Sequence, residues 1–190
     1  PSANRFGRIS PTTAQHVAQE FGDELLVLDG GACSVGIEST IVDCTRGAPV
    51  LLRPGQIARA DIERVAGQRL LSKDELSTPD PQAPGTLLAH YAPRARLRLM
   101  NDKELRAALE LLGADAKNIA VWARAPLRSA SRALVLRRMP DDAAAAAQQL
   151  FAVLRGFDDA GVALIWVETP PDDAAWDGVR DRLQRAAASA

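Results

Sequence analysis

The sequence predicts an α/β chain in two unequal parts, with a mostly parallel sheet in the second. Two patterns carry this reading. From residue 95 onward, short apolar strands alternate with segments of helical periodicity, as in crossover-connected parallel strands. In the first 67 residues, the apolar runs are nearly continuous rather than alternating, so they want cover on both faces.

The elements follow in order. Ser10 stands as a helix cap with Pro11 at the first helical position, Ala14, Val17, Ala18 and Phe21 form one apolar face, and Gly22 ends the helix. "ELLVLDGG" (residues 24–31) reads as a buried strand running into a glycine loop. "STIVDCT" (39–45) and "PVLLRPG" (49–55) read as two further strands, and 61–66 as a short helix ended by Gly67. So small a unit buries only about 60% of its chain surface and is marginal alone. It is expected to be part of a larger domain, exposing residues 25–28 and 51–52 when isolated, while residues 102–190 fold by themselves.

Composition shifts at "SKDELSTPDPQAPGTLLAHYAPRA" (72–95), which holds four prolines and no clear period. It is expected to be a linker or an ordered loop, and a loop this long is often functional. "ARLRLM" (95–100) is then a strand. Residues 101–112 form a helix, with Asn101 and Glu104 in capping-box spacing and Leu105, Leu109 and Leu112 on one face. "NIAVWA" and "ALVLRRM" are strands, 141–155 is an alanine-rich helix, "VALIWVE" (162–168) is a buried strand, and 174–188 is a last helix.

Hydrophobic residues at 47% supply a core, and a formal net charge of −1 offers no basic excess for nucleic acid or a membrane surface. Tyr91 is the single tyrosine, which argues against a base-stacking platform. Cys33 and Cys44 make no disulfide framework, and with only His16 and His90 to add, a structural zinc site is not expected. No apolar run reaches the roughly 18 residues of a membrane span and no signal-peptide pattern occurs, so the reading is cytoplasmic with free thiols.

Four short stretches hold the candidate chemistry, and each has an ordinary structural explanation beside it. "SPTT" (10–13) puts hydroxyls at a helix N-terminus, where free N–H groups suit phosphate, yet the same residues are common caps. "GGACSVGIEST" (30–40) has Gly30, Gly31 and Gly36 for close backbone approach, with Ser39 and Thr40 as hydrogen-bonding groups. It is neither a Walker loop nor a dinucleotide fingerprint, and it also serves as a turn. In "LLRPG" (51–55), Arg53 ends an apolar strand and is placed to grip a phosphate with two parallel bonds, or to form a surface salt bridge. "AHYAP" (89–93) sets His90 and Tyr91 in the proline-rich stretch, as a binding group or as an aromatic plug of linker against core.

The ordered succession "PSANRFGRISPT", "GIESTIVD", "LLRPG" and "HYAP" resembles the long form of threonylcarbamoyl-AMP synthase. In that family a YrdC-like catalytic domain is followed by a linker and a smaller Rossmann-like domain. The match touches residues 1–93, and the rest agrees in its α/β pattern alone. It implies the C-terminal portion of a YrdC-like domain at 1–67, a linker or lid at 68–93 and a Rossmann-like domain at 94–190. It also implies that Pro1 falls inside the catalytic domain, whose earlier part is missing from this sequence or belongs to a separate chain.

The family joins L-threonine, bicarbonate and ATP into threonylcarbamoyl-AMP and pyrophosphate. The product passes to the tRNA-modifying transferase machinery. Carried over by motif, Ser2, Asn4 and Ser10 would contact ATP, Ser39 would contact threonine or its carbamate, Arg53 would bind ATP phosphate as the catalytic cation, and Tyr91 would close over the nucleotide. Mg2+ would arrive on the ATP phosphates, and no residue is assigned to a metal. "LLAHYAP" lacks the polar residue often found before His-Tyr in the family, which leaves His90 without an assigned role. A second reading stays open: a non-catalytic module that binds a nucleotide, or double-stranded RNA in a concave face, with the near-neutral charge speaking against RNA. A third is a purely structural or regulatory piece that binds no nucleotide.

Overall fold

The computed structural model describes residues 3–76 and 89–189. The first helix, α1 (Ala14–Phe21), starts later than the sequence suggests. Thr13 is its N-cap, its hydroxyl accepting from the His16 N–H, and Gly22 closes it at φ 59°. Ser10 and Pro11 therefore lie before the helix, because Thr13 offers the same capping chemistry closer to the apolar face. The strand expected at 24–31 does not form. Residues 22–24 make a single 3-10 turn, and the following run is irregular, with Leu26 and Leu28 87% and 88% exposed. No described strand lies beside it to complete a ladder.

Strands β1 (Ile41–Asp43) and β2 (Val50–Arg53) pair antiparallel with an irregularity between Ile41 and Val42. After α2 (Arg59–Ala66), which ends on left-handed Gly67, the chain returns to this ribbon. Leu51 N–H donates to the Leu71 carbonyl and Leu71 N–H to the Pro49 carbonyl, so residues 70–71, expected in the linker, join the sheet. Leu52 and Leu70 are buried and Leu51 is half-buried, so Leu52 does not lie open as expected. A 3-10 turn at Lys73–Glu75 follows, held by a capping box between Ser72 and Glu75. The rest of the proline-rich stretch, 77–88, lies outside the described residues.

The second part is a four-stranded, wholly parallel sheet of β3 (Arg96–Met100), β4 (Ile119–Ala123), β5 (Val135–Arg138) and β6 (Leu164–Glu168), in the order β3-β6-β4-β5. Helix α3 (Asp102–Leu112) has the expected capping box, Asn101 with Glu104. Helix α4 (Ala143–Asp159) runs one turn beyond the expected end, and α5 (Asp177–Ala187) begins after a 3-10 turn at Ala174–Trp176. Strand alternation sorts the core. Ile119, Val121, Ala123 and Trp166 pack on Leu105 and Leu109 of α3. Ala120, Trp122, Ile165 and Val167 face the opposite way, onto Leu150, Leu154 and Phe157 of α4 and Leu183 of α5.

This second layer also takes in Ile9 and Tyr91, so the two parts share one core. The junction is tight. At Gly36 (φ 83°) a Cβ would overlap the backbone of Ala147 and Gln148, so the close approach expected for a ligand is made instead to helix α4. Arg155 of α4 donates to the carbonyls of Ile9 and Ser10 and pairs with Glu20 at 2.8 Å. The expectation that residues 102–190 stand alone does not fit this packing, because α4 and α5 would lose the apolar cover of Ile9 and Tyr91.

Candidate functional site

The site is built where three sequence-distant backbones converge on α5. The loop after Gly36 carries Glu38 and Ser39 into β1. Strand β2 carries Arg53 to its end, where Pro54-Gly55 turns the chain. Gly55 is compelled to be glycine, since a Cβ there would overlap the Thr40 backbone nitrogen. Arg53 is 6% exposed, and its Nε donates to the Ser39 carbonyl at 3.1 Å. The stem is fixed by packing as the apolar strand suggests. The guanidinium, however, is held by protein instead of standing on the surface.

Ser10 is also buried, and its hydroxyl donates to Glu38 Oε1 at 2.5 Å. The other carboxylate oxygen accepts from Arg182 Nε at 2.9 Å. Arg182 is 0% exposed, and its Nη2 donates to the Glu38 carbonyl at 3.0 Å and its Nη1 to the Pro54 carbonyl at 2.5 Å. Burial works against the Glu38 charge, but the Arg182 guanidinium and the Ser10 hydroxyl outweigh it, and its pKa lies below the ordinary value. Glu38 is therefore an ion-paired carboxylate of lowered basicity, with each oxygen engaged by the protein.

Tyr91 lies beneath this network. Its ring is 1% exposed, 5.3 Å from Phe151 and 5.6 Å below the Arg182 guanidinium. It adopts φ 62°, rare for a bulky side chain. Its buried hydroxyl and the neighbouring His90 Nδ1 have no hydrogen-bond partner among the described residues. Burial, then Glu38, pushes the Tyr91 pKa up to about 12, so the phenol stays protonated at neutral pH. Burial lowers the His90 pKa, and Arg185, Arg53 and Arg182 add to this against the opposing pull of Glu38. Ala92 N–H donates to the Gly7 carbonyl at 2.8 Å, fastening the segment after Tyr91 to the N-terminal loop.

Of the sequence candidates, Ser10, Ser39, Arg53 and Tyr91 are thus drawn around Glu38 and Arg182. Asn4 is not linked to that group; its side-chain amide donates to the Arg5 and Arg8 carbonyls and shapes its own loop. Ser2 lies outside the described residues. A cavity of about 420 Å³ opens beside the group, between Arg5, Arg8, Glu20, Arg94, Arg155 and Asp158, but Ser39, Arg53 and Tyr91 do not line it. Glu38 was legible as one acid inside an otherwise small and apolar motif. Arg182 was not, because "DRLQR" reads as a solvated helix face.

Among the described residues, no three His, Cys, Asp or Glu side chains come together to hold a metal ion. The central carboxylate is ion-paired with Arg182 and has no second carboxylate, His or Cys assembled with it among the described residues. Cys33 and Cys44 are free and exposed. No helix among the described residues is long and apolar enough to cross a membrane.

Comparison with known proteins agrees with the ordered motifs. Residues 57–188 match the family described as threonylcarbamoyl-AMP synthase, C-terminal domain, and residues 1–55 match the family described as telomere recombination. The chain is 34% identical to the threonylcarbamoyl-AMP synthase of Pyrococcus abyssi and 32% identical to that of Bacillus subtilis, in each case over 98% of this chain and 56% of the relative. Among solved structures, it is similar to P. abyssi Sua5 complexed with L-threonine, with a TM-score of 0.82 and 32% identity over the whole of this chain and 57% of that one. It is likewise similar to a variant of P. abyssi Sua5 in which a His-Tyr pair is replaced by alanines, with a TM-score of 0.83, 31% identity and 56% of that chain covered. The chain thus spans a little over half the length of the proteins it matches. With more than half of its residues inside the first family match, the chain belongs to the threonylcarbamoyl-AMP synthase family.

Proposed function

We propose that this chain works in the formation of threonylcarbamoyl-AMP from L-threonine, bicarbonate and ATP, with release of pyrophosphate, as the supply step for threonylcarbamoyladenosine in tRNA. One observation carries the reading. The motifs that single out the family in the sequence are the ones whose residues Ser10, Ser39, Arg53 and Tyr91 gather around the Glu38–Arg182 pair.

In this reading, the threonine amine and bicarbonate lose water to give a carbamate. A carbamate oxygen then attacks the α-phosphorus of ATP. The bond from that phosphorus to the bridging oxygen breaks, and pyrophosphate leaves with the electron pair. Negative charge grows on nonbridging and leaving oxygens, so fixed donors and Arg53 accelerate the step by stabilising that charge. No nucleophile or general base is assigned, and the ion pair with Arg182 makes Glu38 a weak base. Ser39 is the proposed threonine contact, in line with the L-threonine bound by the solved neighbour. Ser2, Asn4, Ser10 and Tyr91 are the proposed ATP contacts. Mg2+ is part of the ATP substrate and is held by the phosphates. The substrates and the tRNA-directed product place the activity in the cytoplasm.

Tyr91 supports the lid part of this reading through its costs. A buried hydroxyl with no partner among the described residues and a left-handed backbone at a bulky residue each cost on the order of 1–3 kcal/mol. Such costs concentrate at functional sites. His90-Tyr91 is the one adjacent His-Tyr pair of this chain, and such a pair was the target of the alanine variant of the solved neighbour.

The test is ATP–pyrophosphate exchange by the protein as it occurs in its source cell. Exchange that requires both L-threonine and bicarbonate is the expected result. ATP binding without exchange would return the non-catalytic module, and no ATP binding at all would return the structural reading.

A further inference from the structure

We propose that Arg182, carried by the last helix of the second part, is a positioning residue for the site: it fixes the spacing between the two backbone segments that bear Ser39 and Arg53. The inference rests on the functional reading above and assigns a task to the C-terminal helix within it.

The hydrogen bonds form a closed ring. Arg182 Nη2 holds the carbonyl of Glu38, the residue bonded to Ser39. Arg182 Nη1 holds the carbonyl of Pro54, the residue bonded to Arg53. Arg53 Nε closes the ring on the Ser39 carbonyl. One planar guanidinium thus spans two chain segments, and its Nε engages the Glu38 carboxylate, whose second oxygen holds Ser10. The fork is rigid because all its donors are fixed in one plane. Asp181 Oδ2, 3.1 Å from Nη1, completes the anionic surroundings, and the Tyr91 ring lies below the guanidinium.

The helix is brought close enough by Gly178, one turn before Arg182. A Cβ at Gly178 would stand 3.2 Å from the Gly55 carbonyl oxygen and 2.7 Å from Ile37 Cδ1. The missing side chain lets α5 rest against the turn after Arg53, within reach of Pro54. Desolvating a fully buried guanidinium is costly, and an isolated ion pair does not repay that cost well. Here the bonds to Glu38 and Pro54 land on segments flanking proposed substrate contacts, so the burial serves geometry.

The experiment compares the natural protein with Arg182→Lys, Arg182→Met and Gly178→Ala. Three measurements are made: threonine-dependent ATP–pyrophosphate exchange, melting temperature, and amide hydrogen exchange resolved by segment. Arg182→Lys keeps a charge near Glu38 but loses the fork. It is expected to lower kcat about tenfold or more with KM for ATP and threonine changed less, while retaining most of the melting temperature. Amide exchange is expected to speed up at 37–41 and 53–56 and to stay unchanged in β4 and β6. Gly178→Ala is expected to give the same pattern more weakly, and Arg182→Met to give it more strongly. Should Arg182→Met not fold, Arg182→Lys decides alone. Full activity in a folded Arg182→Lys, or faster exchange spread evenly over β4 and β6, overturns the proposal. Absence of activity in the unaltered protein would sink the functional reading instead, while the segment-resolved amide exchange still tests Arg182.

Discussion

Arg53 and Tyr91 are both buried at one junction, and their substitution separates catalytic from structural contributions. Arg53→Ala should lower threonine-dependent pyrophosphate exchange by about 10²-fold, the loss expected on removing one charge-stabilising donor. It should also lower the melting temperature, because the Ser39 carbonyl loses its Arg53 partner and a buried stem is deleted. Arg53→Lys should recover only part of the activity. If the folded fraction of Arg53→Ala is fully active, the phosphate role is wrong. At Tyr91, the hydroxyl makes no bond among the described residues, so Tyr91→Phe should leave the melting temperature unchanged or raise it. Tyr91→Ala should cost about 3–5 kcal/mol in denaturant unfolding, as expected when a buried ring is removed. A fall in exchange activity in Tyr91→Phe without loss of stability is the outcome expected if the hydroxyl contacts ATP, and unchanged activity would remove the hydroxyl from that role.

Single elements are held by local devices that can be tested one at a time. Helix α3 depends on its reciprocal cap, with Asn101 Oδ1 accepting from the Glu104 N–H and Glu104 Oε2 accepting from the Asn101 N–H. Asn101→Ala should cost about 1 kcal/mol, read from the urea midpoint, with no effect on exchange activity. The loop before β1 depends on having nothing at Gly36. Gly36→Ala adds a Cβ against the α4 backbone at φ 83° and should destabilise by at least about 1–3 kcal/mol. Since that loop leads to Glu38 and Ser39, activity should fall with it. Unchanged stability in Gly36→Ala would mean that the loop does not press on α4.

At the scale of the whole molecule, the junction is built from charge as well as from apolar cover, and this makes stability depend on pH. His16 sits at the start of α1, and the Thr12 N–H donates to its Nδ1 at 3.1 Å, which an imidazolium could not accept. Burial and then Arg155 hold its pKa below the ordinary 6.5, and His90 is lowered for similar reasons. For both rings, the unfolded chain binds the proton first as pH falls. Their contribution to stability is complete above about pH 6.5 and is lost as pH drops through the lower folded values. Glu38 and Glu20 have pKa values below the ordinary 4.5, so their contribution is complete above about pH 4.5 and is lost at lower pH. The melting temperature should therefore fall in two stages from pH 7 to pH 3. Replacing both His16 and His90 by asparagine should flatten the first stage only. A profile unchanged by that double substitution would contradict the half-buried neutral rings.

Periodicity and local chemistry determined most elements without help from the fold. The Asn101–Glu104 cap, the apolar face of α3, and the alternation that builds the parallel sheet are all short-range patterns, and the order of four motifs was enough to point to the family. Other features were decided only when distant segments met. The apolar run at residues 24–31 has strand composition, but a strand needs a neighbour for its N–H and C=O groups, and no described strand stands beside it. Ser10 has the chemistry of a cap, yet its hydroxyl went to Glu38, 28 residues away, and Thr13 took the helix. Gly36 met a helix instead of a ligand. Arg182 carried no local signal of its role, because Pro54 and Glu38 lie 128 and 144 residues away and charge on a helix usually means solvent. Sequence patterns record what a residue does for its own helix or strand, whereas the burial of a cation depends on which carbonyls and carboxylates the fold brings to it.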